Sequence, residues 1–306
     1  MKQLISLFII TILLFSCDGS GRSGQPEQEL PDDSAQLRIA VMPTLDCLPI
    51  YLAEAHGFFS QNDLDVALLP FQAQMDCDTA YESGRANSIV TDLVRAERMQ
   101  NEGVGMKYIT ATDAYWQLLT SRTARIKQIR QLDDKMLAMT RFSATHLLSD
   151  LVVDSAGLKP ERVFRIQVND LNVRLGMLSA GIMDALLLPE PQATDARNQD
   201  AYMLFDTRDR DIRLGVVAFN PKAATTRQIE AFRKSYNMAC DSLNERGLAA
   251  YQDVIKKYCS VQQSTIDSLP AIHFSTAAEP RQQDVERAKE WLKRIADNKD
   301  AERRGL

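Results

Sequence analysis

Short apolar runs rich in β-branched residues alternate along this chain with stretches whose apolar positions recur at helical spacing. LRIAVM (37–42), closed by Pro43, predicts a buried strand. PIYLAEAHGFF follows, with Ile50, Leu52, Ala53 and Phe58 on one helix face and Gly57 where a helix C-cap falls. LDVALLPF (64–71) predicts a second strand, TAYESG a short helix ending at Gly84, and SIVTD (88–92) a third strand. LVRAERMQ then reads as a helix and MKYITAT (106–112) as a fourth strand. Strand and helix in alternation predict a parallel sheet wrapped by helices.

The pattern then restarts. WQLLTSR (116–122) and KMLAMTR (135–141) read as strands, and SATHLLSDLVVDSAG as a helix with Ser143 at its N-cap and Gly157 at its stop. RVFRIQV (162–168), MDALLLP (183–189) and AYMLFD (201–206) are further strands, with DLNVRLGMLSAG and PQATDARN as the helices between them. After RLGVVAFN (213–220) only amphipathic helical sequence remains, and it has to pack back onto the first unit. The predicted fold class is therefore α/β. It is a two-lobed clamshell in which each lobe is a doubly wound, mostly parallel sheet, with a helical C-terminal tail. Lobe 1 comprises 37–113 and 213–306, and lobe 2 comprises 114–212. Ligands of open α/β sheets bind beyond the carboxyl ends of the strands. That rule points to TLDC, QAQMDCD, DLVR, TDAYW, RFSAT, NDL and PEP.

A chain of 306 residues accommodates two such units, and its net charge of −5 gives no electrostatic reason for binding nucleic acid. The N-terminus changes the picture more. MKQLISLFIITILLFSC places Lys2 before an apolar run from Leu4 to Phe15, then Ser16 and Cys17. The run is shorter than the roughly 20 apolar residues a spanning helix needs, so residues 1–17 read as an export signal. An uncleaved anchor helix is the other reading. The LLFSC ending resembles a bacterial lipoprotein signal, in which the cysteine, here Cys17, is acylated. Residues 18–36 are rich in Gly, Ser and Pro and predict a flexible tether. The chain is expected in the cell envelope, lipid-anchored and facing the periplasm.

LRIAVMPTLDCLPIYLAEAHGFFSQNDLDVALLPF, RFSATHLLSDLVVDSAGL and GIMDALLLPEPQAT together resemble the solute-binding proteins of ABC importers. The likeness is to the type II periplasmic-binding-protein fold of the NMT1/THI5-like, nitrate/sulfonate and thiamin-precursor branch, and it covers nearly all of the chain from Leu37. It implies a monomeric binding protein, not an enzyme and without a cofactor. The two lobes would close over a small solute that is then delivered to an ABC permease in the inner membrane. Relatives in this branch that make the thiamin pyrimidine set up a rival reading as an enzyme. The cysteine-rich motif and the histidine beside a lysine that such enzymes carry are not evident here. A signalling or scaffold lipoprotein is a third reading.

The candidate ligand-binding residues are Thr44, Asp46, Gln74, Asp76, Asp92, Trp116, Ser143, Thr145, Asp170 and Glu190. RFSAT opens a helix with two hydroxyls and free N–H groups, which suits either an anion or a plain N-cap. Acids at strand ends act as helix caps, yet so many around one cleft would repel a naked inorganic anion. An amine-bearing, hydroxylated or pyrimidine-like organic solute fits better. Tyr115 and Trp116 serve either as a stacking surface or as hinge packing.

The stretch MDCDT sets Cys77 between two carboxylates, one of which, Asp76 or Asp78, is expected to turn toward the solute. Asp46, Cys47, Asp76, Cys77 and Asp78 include zinc-ligand types, but His56, His146 and His273 are scattered and no Cys-x-x-Cys occurs, so no metal is expected. Flanking carboxylates disfavour a thiolate nucleophile. Exported cysteines tend to oxidise, and Cys47, Cys77, Cys240 and Cys259 allow three pairings. A 2-1-3 strand order would set the first two loops side by side, which suggests Cys47–Cys77, with Cys240–Cys259 between successive helices.

Overall fold

The computed structural model describes residues 35–304. The export signal, Cys17 and nearly all of the tether lie outside the described residues. The strands are β1 (Leu37–Val41), β2 (Val66–Pro70), β3 (Ser88–Asp92), β4 (Lys107–Ala111), β5 (Trp116–Thr120), β6 (Lys135–Met139), β7 (Val163–Gln167), β8 (Ala185–Pro189), β9 (Tyr202–Asp206) and β10 (Gly215–Phe219). They form two five-stranded sheets, ordered β2-β1-β3-β10-β4 and β7-β6-β8-β5-β9.

The two sheets are built on one plan. β1 runs parallel to β2 and β3, and β6 parallel to β7 and β8. The antiparallel member of each sheet is the strand that follows a crossover from the other: β10 between β3 and β4, and β5 between β8 and β9. β3, β8 and β10 are buried along their whole length, with β8 and β10 correspondingly apolar and β3 burying Ser88, Thr91 and Asp92, whereas edge strand β2 is half-buried.

The helices are α1 (Leu48–Ala55), α2 (Phe58–Gln61), α3 (Gln74–Glu82), α4 (Leu93–Asn101), α5 (Ala144–Ser155), α6 (Leu171–Ser179), α7 (Gln192–Asn198), α8 (Thr226–Arg246), α9 (Gln252–Cys259), α10 (Gln263–Asp267) and α11 (Gln282–Arg304). Local chemistry sets their ends. Gly57 takes φ 68°, a left-handed turn between α1 and α2 that suits glycine. Asp92, Ser143 and Asp170 each accept a backbone N–H in the first turn of α4, α5 and α6, and Thr225 with Gln228 forms a capping box on α8.

The C-terminal helices close over the first sheet, with one difference from expectation. Phe232 of α8 packs among Phe59, Phe219 and Tyr236, with ring centroids 5.9, 5.0 and 6.0 Å away. Tyr258 of α9 stacks on Tyr51 of α1 at 4.3 Å. The last helix, α11, packs along α4 and through its side chains also reaches the second sheet's α5. There Trp291 donates its indole N–H to Asp150 Oδ2 at 2.9 Å and meets the His146 ring edge-on. The tail therefore touches both lobes, because the long Trp291 and Arg294 side chains of α11 reach Asp150 and Asp154 of α5.

The predicted disulfides are not formed. Cys47, Cys77, Cys240 and Cys259 are free, buried thiols. Thr44 Oγ1 donates to Cys47 Sγ, Cys77 Sγ lies 3.9 Å from the Val41 carbonyl, and Cys240 Sγ donates to the Ser275 carbonyl at 3.3 Å. Each of these sulfurs is thus engaged with a neighbour other than its expected partner.

Where β10 enters the first sheet, Gly215 faces the outgoing crossover. A Cβ there would meet Thr112 Oγ1 and lie 2.6 Å from the Ala114 Cβ, both in a segment fixed by the Thr112 N–H bond to the Gly215 carbonyl. Gly215→Ala should therefore destabilise the fold by about 1–3 kcal/mol, measured as a lowered urea midpoint at unchanged slope.

Candidate functional site

The carboxyl ends of the strands in the two sheets face one another across a cleft with about 580 Å³ of empty space, its open mouth included. From the first lobe come Met42, Thr44 and Asp46 after β1, Gln74 at the start of α3, and Val90, Thr91, Asp92 and Arg95 around the β3–α4 junction. From the second come Trp116 and Pro189 at strand ends, Thr140, Ser143 and Thr145 at the β6–α5 turn, and Asn169, Leu171 and Arg174 after β7. The lobes touch beside the cleft. Leu45 N–H donates to the Glu190 carbonyl at 2.9 Å, Gln192 Nε2 to the Pro43 carbonyl at 2.8 Å, and Asn172 Nδ2 to Gln72 Oε1 at 3.2 Å.

Asp92 spans the two lobes. Its Oδ1 accepts the Arg95 N–H of its own helix and the Ala144 N–H that opens α5, both at 3.0 Å. A carboxylate thus occupies the electropositive end of each helix. Burial nevertheless pushes its pKa up to about 6, against the pull of the Arg95 charge. The hydroxyls of RFSAT are consumed locally: Ser143 Oγ donates to the Thr140 carbonyl at 2.7 Å and accepts Thr145 N–H at 3.1 Å, while Thr145 Oγ1 accepts Thr140 N–H at 2.9 Å. The motif acts as a cap, and Asp92 of the opposite lobe supplies its anion.

Two arginines form the buried floor. Arg95 pairs through Nη1 with Asp78, and its Nε and Nη2 have no hydrogen-bond partner although the residue is only 2% exposed. Arg174 is 1% exposed, and its guanidinium donates to the Val168 and Leu187 carbonyls and to Thr140 Oγ1, with no carboxylate paired to it among the described residues. Burial, reinforced by the nearby positive charge of Arg95, lowers its pKa to about 10. After β1, Asp46 accepts a hydrogen bond from Thr112 Oγ1 at 3.3 Å and has no ion-pair partner among the described residues. Burial raises its pKa.

Of the candidates named from sequence, Thr44, Asp46, Gln74, Asp92, Trp116, Ser143 and Thr145 line the cleft. Three do not, each for a local reason. Asp76 is exposed on the first turn of α3, and Asp170 caps α6 through Val173 N–H at 2.9 Å. Glu190 is held by Thr194 N–H at 2.8 Å and Arg197 Nη2 at 2.9 Å, beside a smaller cavity shared with Asp113 and Tyr115. Neither acid of MDCDT faces the cleft, since Asp78 is spent on Arg95. Tyr115 offers no stacking face there, because the Arg208 guanidinium lies 3.9 Å over its ring. Sequence reasoning missed Arg95 and Arg174. The signal available was their position: DLVR and DLNVR put each arginine near the start of a helix whose N-cap is an aspartate following a strand closely or ending it.

Among the described residues no group of three or more His, Cys, Asp or Glu side chains is placed to hold a metal ion. No helix among them is long and apolar enough to cross a membrane.

Residues 44–241 match the NMT1/THI5-like family model, which spans well over half of the chain. The protein belongs to the NMT1/THI5-like family. The fold is that of periplasmic solute-binding proteins. One similar structure is the zinc-bound ligand-binding component of an ABC-type import system from Staphylococcus aureus, at TM-score 0.72 and 15% identity over 85% of this chain and 92% of that one. Another is the alkanesulfonate-binding protein SsuA from Xanthomonas axonopodis pv. citri bound to MOPS, at 0.71 and 18% over 86% and 93%. The periplasmic nitrate-binding protein NrtA from Synechocystis PCC 6803 aligns at 0.64 and 12% over 81% and 75%. No curated protein sequence matches significantly.

The perturbed Asp92 carboxyl has a measurable consequence. Its folded pKa of about 6 lies above an unfolded value of about 3.9, so between these pH values the native chain holds a proton that the unfolded chain has lost. The resulting stabilisation is fully present below about pH 4 and is lost as pH rises to about 6, in all roughly 3 kcal/mol. Asp92→Asn should remove that slope, seen as a flatter urea-midpoint profile between pH 4 and 7; parallel profiles would show that Asp92 titrates normally.

Proposed function

We propose that the chain is the substrate-binding lipoprotein of an ABC importer. It would be held at the envelope through Cys17, face the periplasm, close its two lobes over a small organic solute and hand that solute to the permease. The observation that carries this reading is the cleft itself: both lobes line it with buried polar groups, and several of these have no partner inside the protein. A solute touching both lobes stabilises the closed state by its differential affinity, which is what a delivery protein needs.

Binding without catalysis is the reading that the side chains favour. His56, His146 and His273 are not in the cleft lining. Burial drives the Cys47 and Cys77 thiols far above the range of a reactive thiolate. An amine-bearing or pyrimidine-like solute remains in keeping with the acids on the first-lobe side.

A thermal-shift panel of pyrimidines, amines, organic acids, sulfonates and small peptides tests the proposal. A true solute at 100 times its Kd adds about 2.7 kcal/mol of stability and raises the Tm in a saturable way. Chemical turnover of a stabilising compound would overturn the transport reading, and a panel without a single stabiliser would favour the scaffold lipoprotein. Cys17→Ser should move the chain out of the membrane fraction.

A further inference from the structure

The second sheet ends in an apolar and basic edge on the side away from the cleft. β6, β7, β8 and β9 run in one direction, because β6 is parallel to β7 and β8 while β5 is antiparallel to both β8 and β9. Residues just past β6 and β7 and at the end of β8 line the cleft, so the amino ends form the opposite edge. Among the described residues seven large apolar side chains are well exposed, and five of them stand there: Met136 in β6, Phe164 in β7, Ile182 just before β8, and Tyr202 and Met203 opening β9. Met136 lies directly opposite Phe164 in the β6–β7 register. Since β7 and β9 are the outer strands, the row spans the sheet, about 19 Å at four strand spacings of ~4.8 Å. Single exposed apolar residues are ordinary, but a row that gathers most of the examples marks a contact surface.

The same edge carries unpaired cations in a chain of net charge −5. Arg125, Lys127 and Arg130 lie in the connection from β5 to β6 and Lys159 in that from α5 to β7; all four are exposed, with no ion-pair partner among the described residues. Of the nearby acids, Asp133 and Asp200 are taken up by Arg162 and Arg122 at 2.7 and 3.0 Å, and Asp184 accepts the Met136 N–H at 2.9 Å. That leaves Asp134 and Glu161 against the four cations. The basic connection runs beside the apolar row: a Cβ on Gly181, next to Ile182, would come within 2.8 Å of Thr123 Oγ1.

We propose that this edge rests on an anionic phospholipid bilayer, with Phe164, Tyr202 and their apolar neighbours entering the headgroup boundary while Arg125, Lys127, Arg130 and Lys159 engage the lipid phosphates. Aromatic and aliphatic side chains flanked by unpaired cations make an interfacial contact, in which buried apolar area and attraction to anionic lipid act together. Charge decides between a bilayer and a second copy of the chain. Two such edges brought together set cation against cation, whereas anionic lipid supplies the counter-charge, at about fivefold in affinity for each cation near the surface. The contact lies at the far end of the lobe from the cleft, so it depends neither on what the cleft binds nor on Cys17.

The test is hydrogen–deuterium exchange of the full-length chain on vesicles of phosphatidylcholine alone and of phosphatidylcholine containing phosphatidylglycerol. Amides of 121–131 and 199–201 should exchange about fivefold more slowly on the anionic vesicles, with the first lobe unchanged. High salt should abolish the difference. Arg125→Glu/Lys127→Glu/Arg130→Glu should lose the protection at an unchanged urea midpoint, and Phe164→Ser/Tyr202→Ser should weaken it. All these chains share one N-terminus, so its own membrane affinity cancels in the comparison. Equal exchange on the two vesicle types would overturn the proposal, as would a charge-reversed chain that stays fully protected. Protection that grows with protein concentration in the absence of lipid would overturn it too, by assigning the edge to a contact between copies.

Discussion

Arg95→Leu is expected to cost about 3–5 kcal/mol of stability, because it strands the Asp78 carboxylate in the interior. Asp78 is 3% exposed, its Oδ1 already lacks a partner, and its remaining cation, Arg98, stands 3.7 Å away. Urea denaturation of three variants decides the matter. Removing both charges in Asp78→Leu/Arg95→Leu should recover most of the loss, since a buried pair is often replaced by apolar residues at little cost. The double variant should still fail to bind solute, which separates the structural half of Arg95 from its cleft-facing half. Equal destabilisation of the single and double variants would mean that the damage comes from lost packing rather than from an orphaned charge.

Phe232→Ala is the second large effect, at about 3–5 kcal/mol. The ring is completely buried at the meeting of α8, α2 and β10, where it faces three aromatic neighbours. The cavity left behind has rigid walls on the sheet side, so little collapse is available. Its importance lies in connectivity: Phe59 comes from the first third of the chain and Phe219 and Phe232 from the last, and their packing fastens the C-terminal helices to the N-terminal sheet. Phe232→Leu should cost much less than the alanine variant, and chemical denaturation with a single cooperative transition checks both.

Much of the fold was legible because periodicity reports burial directly. SIVTD, KMLAM and ALLLP lie in β3, β6 and β8 as their short runs of apolar residues suggested, and β2-β1-β3 is the order expected of a doubly wound sheet. The direction of β5 and β10 was not legible. It depends on where the crossovers at 112–115 and 207–214 deliver the chain, and no residue pattern encodes that. In the site, strand-end position found Asp46, Gln74 and Asp92, since topology places such residues at the cleft whatever their chemistry. The same rule over-reached at Asp76 and Asp170, where helix phase turns the carboxylate to solvent or to its own backbone. Arg95 and Arg174 escaped notice because an arginine in a helical repeat ordinarily marks the wet face. Only the packing reveals that these two point inward, toward Asp78 and toward bare carbonyl groups.

Trp291 gives the C-terminal helix a mechanical part in the molecule. α11 runs along α4 and is fastened by its indole to α5, so it lies like a splint across the joint between the lobes. Arg294 adds a second tie, to Asp150 and Asp154, so any separation of α4 from α5 has to slide or break contacts made by two side chains of α11. A label attached to α11 would sit on the lever arm of that joint, and would report the motion of the cleft while adding its own drag to it.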